Sequence, residues 1–569
     1  MDEMANITGH GTGSSMARSR RQSGGMPWLV AAMTLAGLVI APVAVLIWMA
    51  FFPDENIWPH LFSTVLGTYV SSTLTLMTGV GISVVIIGTG TAWLVVSCRF
   101  PGRRIFEWAL LLPLAVPAYV IAYTYTDLLE FAGPLQGALR ALFDWQTKRD
   151  YWFPDIRTMG GAISMLSLVL YPYVYAMARA AFLEQSVCVL EVSRTLGSGV
   201  WRAFFSVALP LARPAIAVGL TLALMETLND FGTVDYFAVR TLTRGVFDVW
   251  FFMGNPGGAA QIALVMLLFV VGLIWFERRS RARQRFHHTS THVRALPGYQ
   301  LTGWKRVLAV TACALPILLG FVVPAGVLGY YAIGYFEQSW TPEYLHYTRN
   351  SLELAAISAL VTVSAAVLLA YAVRLNPAPA VRIGARLASV GYAIPGAVLA
   401  VGILIPAGAL DNAVDAVARA HLGFSTGLLL SGTSAALVFA YMVRFMAVSF
   451  GAVESGLGKV TPNMDLASRA LGHGPFSTLR KVHLPLIRGS LLTAIVLVFV
   501  DTMKELPATL VLRPFNFQTL ATYVYQYASD ELLEQCALAA LTIVAAGVLP
   551  VIVLSRAISA SRPGHRRST

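Results

Sequence analysis

Twelve runs of about twenty apolar residues constrain this 569-residue chain more than any other feature, because that is the helix length that crosses a bilayer's hydrocarbon. They fall at 28–50, 70–97, 107–127, 160–182, 212–232, 257–276, 307–331, 352–374, 386–409, 427–449, 487–509 and 537–556. Composition agrees. The chain is 56% hydrophobic and 12% charged, about half the charge of a typical soluble domain. So few charges cannot cover a water-facing surface of that size, and most of the surface must face lipid. The predicted fold class is an all-α polytopic membrane protein of about twelve transmembrane helices. Residues 1–27 are rich in Gly, Ser and Arg and read as a disordered cytoplasmic tail. The apolar run after them is too long for a signal-peptide core and has no small-residue cleavage site.

Twelve spans put both termini on one side. Arg18, Arg20 and Arg21 precede the first span, Arg99, Arg103 and Arg104 follow the second, and ERRSRARQRF opens the stretch 277–306. The tail 558–569 adds Arg562, Arg566 and Arg567. Most of the Lys and Arg thus share one face, which the positive-inside rule makes cytoplasmic. The net charge of +12 therefore needs no nucleic-acid partner. Four cysteines, Cys98, Cys188, Cys313 and Cys536, have no paired spacing and read as isolated small hydrophobes.

The chain is also written twice. EVSRTLGSGVWRAFFSVALPLARP (191–214) returns as LASRALGHGPFSTLRKVHLPLIRG (466–489). STLTLMTGVGISVVIIGTGTAWLV (72–95) echoes NSLELAAISALVTVSAAVLLAYAV (350–373), and LLPLAVPAYVIA (111–122) echoes SVGYAIPGAVLA (389–400), with Pro117 matching Pro395. Six spans separate the copies, and an even number keeps the orientation. The expectation is two parallel six-helix halves, 28–276 and 307–557, joined by a basic linker at 277–306 and related by a pseudo-twofold axis along the membrane normal.

Each copy of the first phrase lies between the fourth and fifth spans of its half, on the basic side. Gly197 and Gly472 suit the positive φ that ends a helix and turns the chain. A second short helix follows, and Leu209-Pro210 or Leu484-Pro485 is expected to break it before the next span. A single such loop is most simply an amphipathic surface loop. Its recurrence at matched topology points instead to a docking surface with two equivalent partners.

The pattern E-(x)2-R-x-L-G followed by Leu-Pro resembles the EAA loop of ABC-importer permeases. The resemblance covers nearly the whole chain and implies the type I ABC-importer permease fold, with cytoplasmic coupling helices that dock on an ATPase; that ATPase is a separate chain, since no nucleotide motif here is complete. On that resemblance the coupling residues are Glu191, Ser193, Arg194, Leu196, Gly197, Leu209 and Pro210 in the first copy. In the second they are Asp465, Arg469, Leu471, Gly472, Leu484 and Pro485. The copies depart from the family pattern: Val192 and Ser193 replace two alanines, and Leu466 stands where the Glu belongs, with an acid one place earlier at Asp465. GLGK at 456–459 looks like part of a phosphate loop, but Val453 and Val460 stand where that motif needs Gly and Ser or Thr. The resemblance thus implies no cofactor on this chain, with ATP and magnesium on a partner ATPase present in two copies.

Acidic residues at span ends are costly and are functional candidates. Asp230, Asp235 and Tyr236 follow the fifth span of the first half, and Lys504 and Glu505 hold the matched place in the second. Facing a pathway, they would form a gate or a transient cation site. The plainer reading is that Asp230 caps a helix and Lys504–Glu505 is a local charge pair. These stretches, with RAAFLEQSVCVLEVSRTLG (179–197), resemble the fused permeases of ferric iron importers. That implies a periplasmic iron-binding protein as a further partner. Thiamine permeases share the fused layout, and sulfate, polyamine and phosphonate importers resemble it less. Ferric iron prefers oxygen ligands, and no firm metal site is evident. His287, His288 and His292 lie in the basic linker. A gradient-driven secondary transporter would also have two parallel halves, but it gives no reason for two docking loops. A membrane-embedded enzyme would need a convergent catalytic constellation, and none is evident.

Overall fold

A computed structural model describes residues 26–184, 200–282, 299–376, 378–388, 391 and 394–560. Among these, ten helices are long and apolar enough to cross a membrane, or up to twelve if each of two bent helix pairs counts as one span. The all-α expectation therefore holds. The one small sheet pairs β1 (Cys98–Arg99) in parallel with β2 (Tyr299–Gln300), which sets the end of the 277–306 stretch beside the basic turn after the second span.

In chain order the helices used below are α1 (Met26–Phe51), α2 (Leu66–Ser97), α3 (Ala118–Leu129), α4 (Met159–Glu184), α5 (Leu209–Asn229), α6 (Gly232–Tyr236), α7 (Leu242–Phe247), α8 (Pro256–Ala282), α9 (Trp304–Ile317), α10 (Pro342–Leu375), α11 (Gly396–Leu422), α12 (Ser434–Gly458), α13 (Pro462–Ala470), α14 (Arg488–Met503), α15 (Pro507–Leu512), α16 (Leu520–Ser529) and α17 (Leu533–Ala560). In lipid a helix satisfies its own backbone hydrogen bonds, which is why the apolar runs fold this way.

Four expected spans need correction. The run 107–127 is bent by 90° between Arg103–Ala115 and Ala118–Phe143. Pro117 has an extended backbone (φ −61°, ψ 143°) and donates no hydrogen bond, so a new helix starts after it. The run 386–409 behaves alike: Pro395 is extended (φ −56°, ψ 140°) and α11 begins at Gly396. The runs 212–232 and 487–509 each end early, at Asn229 and Met503, and the chain turns into the short helices α6 and α15.

The described chain forms two compact units. One comprises Met1–Pro42, Ser358–Tyr392 and Tyr441–Val498, and the other Val43–Ile357, Ala393–Ala440 and Phe499–Thr569. The second holds an extensive core in which α2 and α5 both clasp α4. A Cβ at Gly88 would lie 2.8 Å from the Tyr175 amide nitrogen, and one at Gly219 would lie 2.8 Å from the Tyr173 carbonyl oxygen. Small residues let helix backbones approach this closely where lipid gives no hydrophobic drive. In the first unit the lower end of α10 packs with α12 and α13, and Trp28 of α1 meets Tyr371 edge-on at 5.0 Å.

Candidate functional site

The second repeated loop is a helix-turn-helix. Its first arm, α13, ends at Ala470 with Leu471 as its C-cap, and Gly472 takes φ +82°. The His473 N–H donates to the Ser468 carbonyl at 3.1 Å and the Gly472 N–H to the Arg469 carbonyl at 2.9 Å. This paired closure satisfies carbonyls that the helix end would otherwise leave open, and it needs a left-handed residue at Gly472. A hydrogen bond of 2.8 Å between the buried hydroxyls of Ser468 and Thr478 braces the two arms. Outside the brace, Leu466 (58% exposed), Leu471 (78%) and Phe476 (66%) are exposed apolar side chains of the loop. Arg469 is exposed in the same loop.

Asp465 does not join these exposed side chains. Its carboxylate turns inward to Arg374 at the end of α10, with 2.9 Å to Nη2 and 3.0 Å to Nε. Nε2 of His483, a residue only 1% exposed, lies 2.6 Å from the other carboxylate oxygen. Arg374 also donates to the carbonyls of Leu457 (2.7 Å) and Val460 (2.9 Å). The Tyr371 hydroxyl, one turn earlier on α10, donates to the Pro475 carbonyl at 2.7 Å. The loop is thus fastened to the end of a membrane span by two residues of α10. Sequence reading missed both Arg374 and His483, since neither belongs to the repeated phrase's shared letters.

The Leu-Pro steps do not break the chain where expected. Phe204–Asn229 runs as one span through Leu209 and Pro210, and in the second copy the 78° bend follows Leu486. In both copies one π-helical turn precedes the Leu-Pro, at Phe204–Ala208 and at Leu479–His483. Each proline then stands in the first turn of the next helical segment, where its missing N–H costs little. Glu191, Ser193, Arg194, Leu196 and Gly197 lie outside the described residues, as do His287, His288 and His292. The GLGK lookalike is the last turn of α12 rather than a phosphate-cradling loop, and a Cβ at Gly456 would lie 2.8 Å from Ser490 Oγ.

The acidic candidates fall into a second, repeated arrangement. Asp230 accepts the amides of Thr233 (3.1 Å) and Val234 (3.2 Å) and the Thr233 hydroxyl at the start of α6. Glu505 accepts the amides of Ala508 and Thr509, both at 3.0 Å, and the Thr509 hydroxyl at 2.6 Å at the start of α15. Both carboxylates therefore cap short helices. Lys504 pairs with Asp501 at 3.0 Å and not with Glu505. Residues three apart share a helix face, whereas neighbours point about 100° apart.

The likeness of the copies continues. Ala238 and Asn516 both take positive φ, 54° and 63°. Thr241 and Thr519 then cap α7 and α16 by accepting the amides of Arg244 and Thr522. The Leu242 amide donates to Thr73 Oγ1 at 3.0 Å, and the Leu520 amide to Ser351 Oγ at 2.7 Å. Thr73 and Ser351 hold matching places in the repeat.

The copies differ in charge. Asp235 accepts the Tyr525 hydroxyl at 2.7 Å and lies 3.5 Å from Arg244, which is 3.9 Å from Asp248. Tyr236 lies under Arg157, whose guanidinium is 4.7 Å from the ring centre. Arg157 is itself ion-paired with Glu130 and, at 2.9 Å, with Glu531. The structure thus places Asp235 and Tyr236 in two separate ion-paired groups and leaves Lys504 in a pair of its own.

The chain is 26% identical over 506 residues to the Fe(3+)-transport system permease protein FbpB 2 of Haemophilus influenzae, across 87% of this chain and 91% of the relative. It is 23% identical over 535 residues to the ferric transport system permease protein FbpB of Actinobacillus pleuropneumoniae, across 87% of this chain and 72% of the relative. The molybdenum transport system permease protein ModB of Escherichia coli is 31% identical over 202 residues, 34% of this chain and 85% of the relative. One family pattern matches twice, at residues 84–286 and 362–562, once on each copy of the repeat and over most of the chain. The chain belongs to the family of binding-protein-dependent transport system inner membrane components.

Proposed function

We propose that this chain is the membrane-spanning permease of an ABC importer that carries ferric iron inward, driven by a separate ATPase docked on its two repeated loops. The observation that carries the reading is the second loop. Its turn is fixed at Gly472, it presents Leu466, Leu471 and Phe476 to solvent, and Asp465 and Arg374 tie it to α10. Exposed apolar side chains on a loop with a fixed turn, with Arg469 exposed in the same loop, suit a protein partner. Movement of a docked ATPase is passed to α10 through Arg374.

In this reading residues 28–276 and 307–557 are the permease halves, 277–306 is the cytoplasmic linker, and the tails 1–27 and 558–569 share its side. The ATPase, in two copies, holds ATP and magnesium, and this chain binds no cofactor of its own. A periplasmic iron-binding protein delivers the cargo. Iron is favoured because the relatives named for ferric transport run along 87% of the chain, whereas the relative named for molybdenum matches a third of it.

The test is uptake of radiolabelled ferric iron into cells with and without the chain, with labelled thiamine in parallel. Both are repeated after ATP depletion with ion gradients held. Iron uptake that needs the chain and ATP is expected. Thiamine uptake alone would change the cargo, and uptake that survives ATP depletion would remove the docking role.

A further inference from the structure

We propose that Tyr119, Tyr123, Tyr236 and Tyr525, with Asp235, form an oxygen-donor site that the transported ion, a hard and multiply charged cation, occupies in passage. The proposal deepens the function given above and rests on it for the identity of the ion.

Tyr119 and Tyr123 stand one turn apart on α3, 4% and 1% exposed. Neither hydroxyl has a hydrogen-bond partner among the described residues. Buried phenol hydroxyls ordinarily find partners, and those that do not call for an explanation. Packing alone does not supply one. The matched helix α11 starts after Pro395 as α3 starts after Pro117, and it carries Ala397 and Val401 where α3 carries the two tyrosines. The fold is thus built once with these phenols and once without them.

Their surroundings are rich in oxygen. Tyr119 packs on Gly232, where a Cβ would lie 2.6 Å from the tyrosine's own Cβ, so the gate turn can close on it. The Tyr123 ring lies 6.0 Å from that of Tyr119 and meets Tyr236 edge-on at 4.5 Å. Tyr123 is also within electrostatic reach of Tyr525 and Asp235, which are hydrogen-bonded to each other at 2.7 Å. Two guanidiniums border the cluster, and each is held between two carboxylates: Arg157 by Glu130 and Glu531, and Arg244 by Asp235 and Asp248. The Arg157 trio therefore keeps a net negative charge, which favours a cation, whereas Arg240 near Asp248 balances the Arg244 trio.

Phenolate and carboxylate oxygens are hard donors and suit a hard cation better than a soft one. Each phenol that binds gives up its proton to solvent as the metal–oxygen bond forms. Nothing is oxidised or reduced. Exchange along successive phenols keeps each stop weak enough to leave.

The test uses Tyr119→Phe with Tyr123→Phe, which removes two oxygens and keeps both rings. Ferric nitrilotriacetate is added to the purified full-length chain, and the visible phenolate-to-iron charge-transfer band is recorded. A band in the wild type that falls at least twofold in the double variant is expected. A wild type without the band, or a double variant with an undiminished one, would overturn the site. ATP-dependent uptake of labelled iron is measured in the same variants. A wild type that shows the band but imports no iron would support the site and overturn the transport reading.

Discussion

The Arg374 guanidinium closes on the Asp465 carboxylate at 2.9 Å, joining the end of a membrane span to the first arm of the exposed loop. Both side chains are about four-fifths buried, and Arg374 makes two further bonds to the carbonyls of Leu457 and Val460. Hydrogen bonds to charged groups are worth about 1.5–3 kcal/mol each. Arg374→Gln should leave the chain inserted while uptake falls about tenfold, equivalent to about 1.4 kcal/mol. Arg374→Lys should fall between the two, because one ammonium cannot span the carboxylate and both carbonyls. Exchanging the pair, Arg374→Asp with Asp465→Arg, should not restore transport, since the carbonyls stay unserved. Initial uptake rates at matched membrane abundance check all three, and a fully active Arg374→Gln protein would end the strut role.

Gly472 takes φ +82° with no atom near enough to obstruct a side chain, so conformation and not space restricts the position. A left-handed backbone costs a residue with a Cβ about 1–2 kcal/mol, and a β-branched one suffers most. Gly472→Val should retain insertion but weaken ATPase docking and uptake. Gly472→Asn, which tolerates the left-handed region better, should keep most of both. Co-purification of the ATPase with each variant gives the measurement. Equal docking by the Val and Asn variants would show that the turn's geometry is not what the partner reads.

The spans and the repeat were legible because length, composition and recurrence are properties of the chain itself. The bends were not, although Pro117 and Pro395 stood in matched places, because hydropathy runs through a proline without registering the lost N–H. Asp465 looked like a displaced copy of the missing glutamate on the docking face. Its real partner, Arg374, lies 91 residues away and carries no local signal. A cation ending a span on the basic side is what the charge pattern leads one to expect, so Arg374 did not stand out. Lys504 shows the same limit at short range: adjacency suggested Glu505, and helix geometry selected Asp501.

Thr73 and Ser351 each accept a buried backbone amide, from Leu242 and Leu520. A valine at 73 keeps the shape and removes the acceptor, which leaves an N–H unpaired at a cost of about 1–3 kcal/mol. Thr73→Val and Ser351→Ala should each lower the midpoint of thermal unfolding in detergent by several degrees, with uptake per folded chain little changed. Two melts that match the wild type would deny these oxygens their anchoring role. A fall in only one would show that the two copies carry unequal loads.

Asp230 and Glu505 spend their oxygens on the helices they cap. An amide cannot copy Glu505, whose two oxygens each accept a backbone amide, because its NH2 end donates where the carboxylate accepts; Asp230 takes both amides on one oxygen, which an asparagine would keep, so alanine is the test there. Asp230→Ala loses both amides and Glu505→Gln loses at least one of its two, so each should cost about 0.5–2 kcal/mol, the range for a lost N-cap. The expected sign is a lower unfolding midpoint for both, with uptake falling in proportion to the folded fraction. This separates the caps from the phenol cluster, where Tyr119→Phe and Tyr123→Phe should impair transport with the melt almost unmoved. Thermal unfolding and iron uptake on one panel of variants make the comparison. Uptake lost in Glu505→Gln with an unchanged melt would move that carboxylate from a helix cap into the transport path.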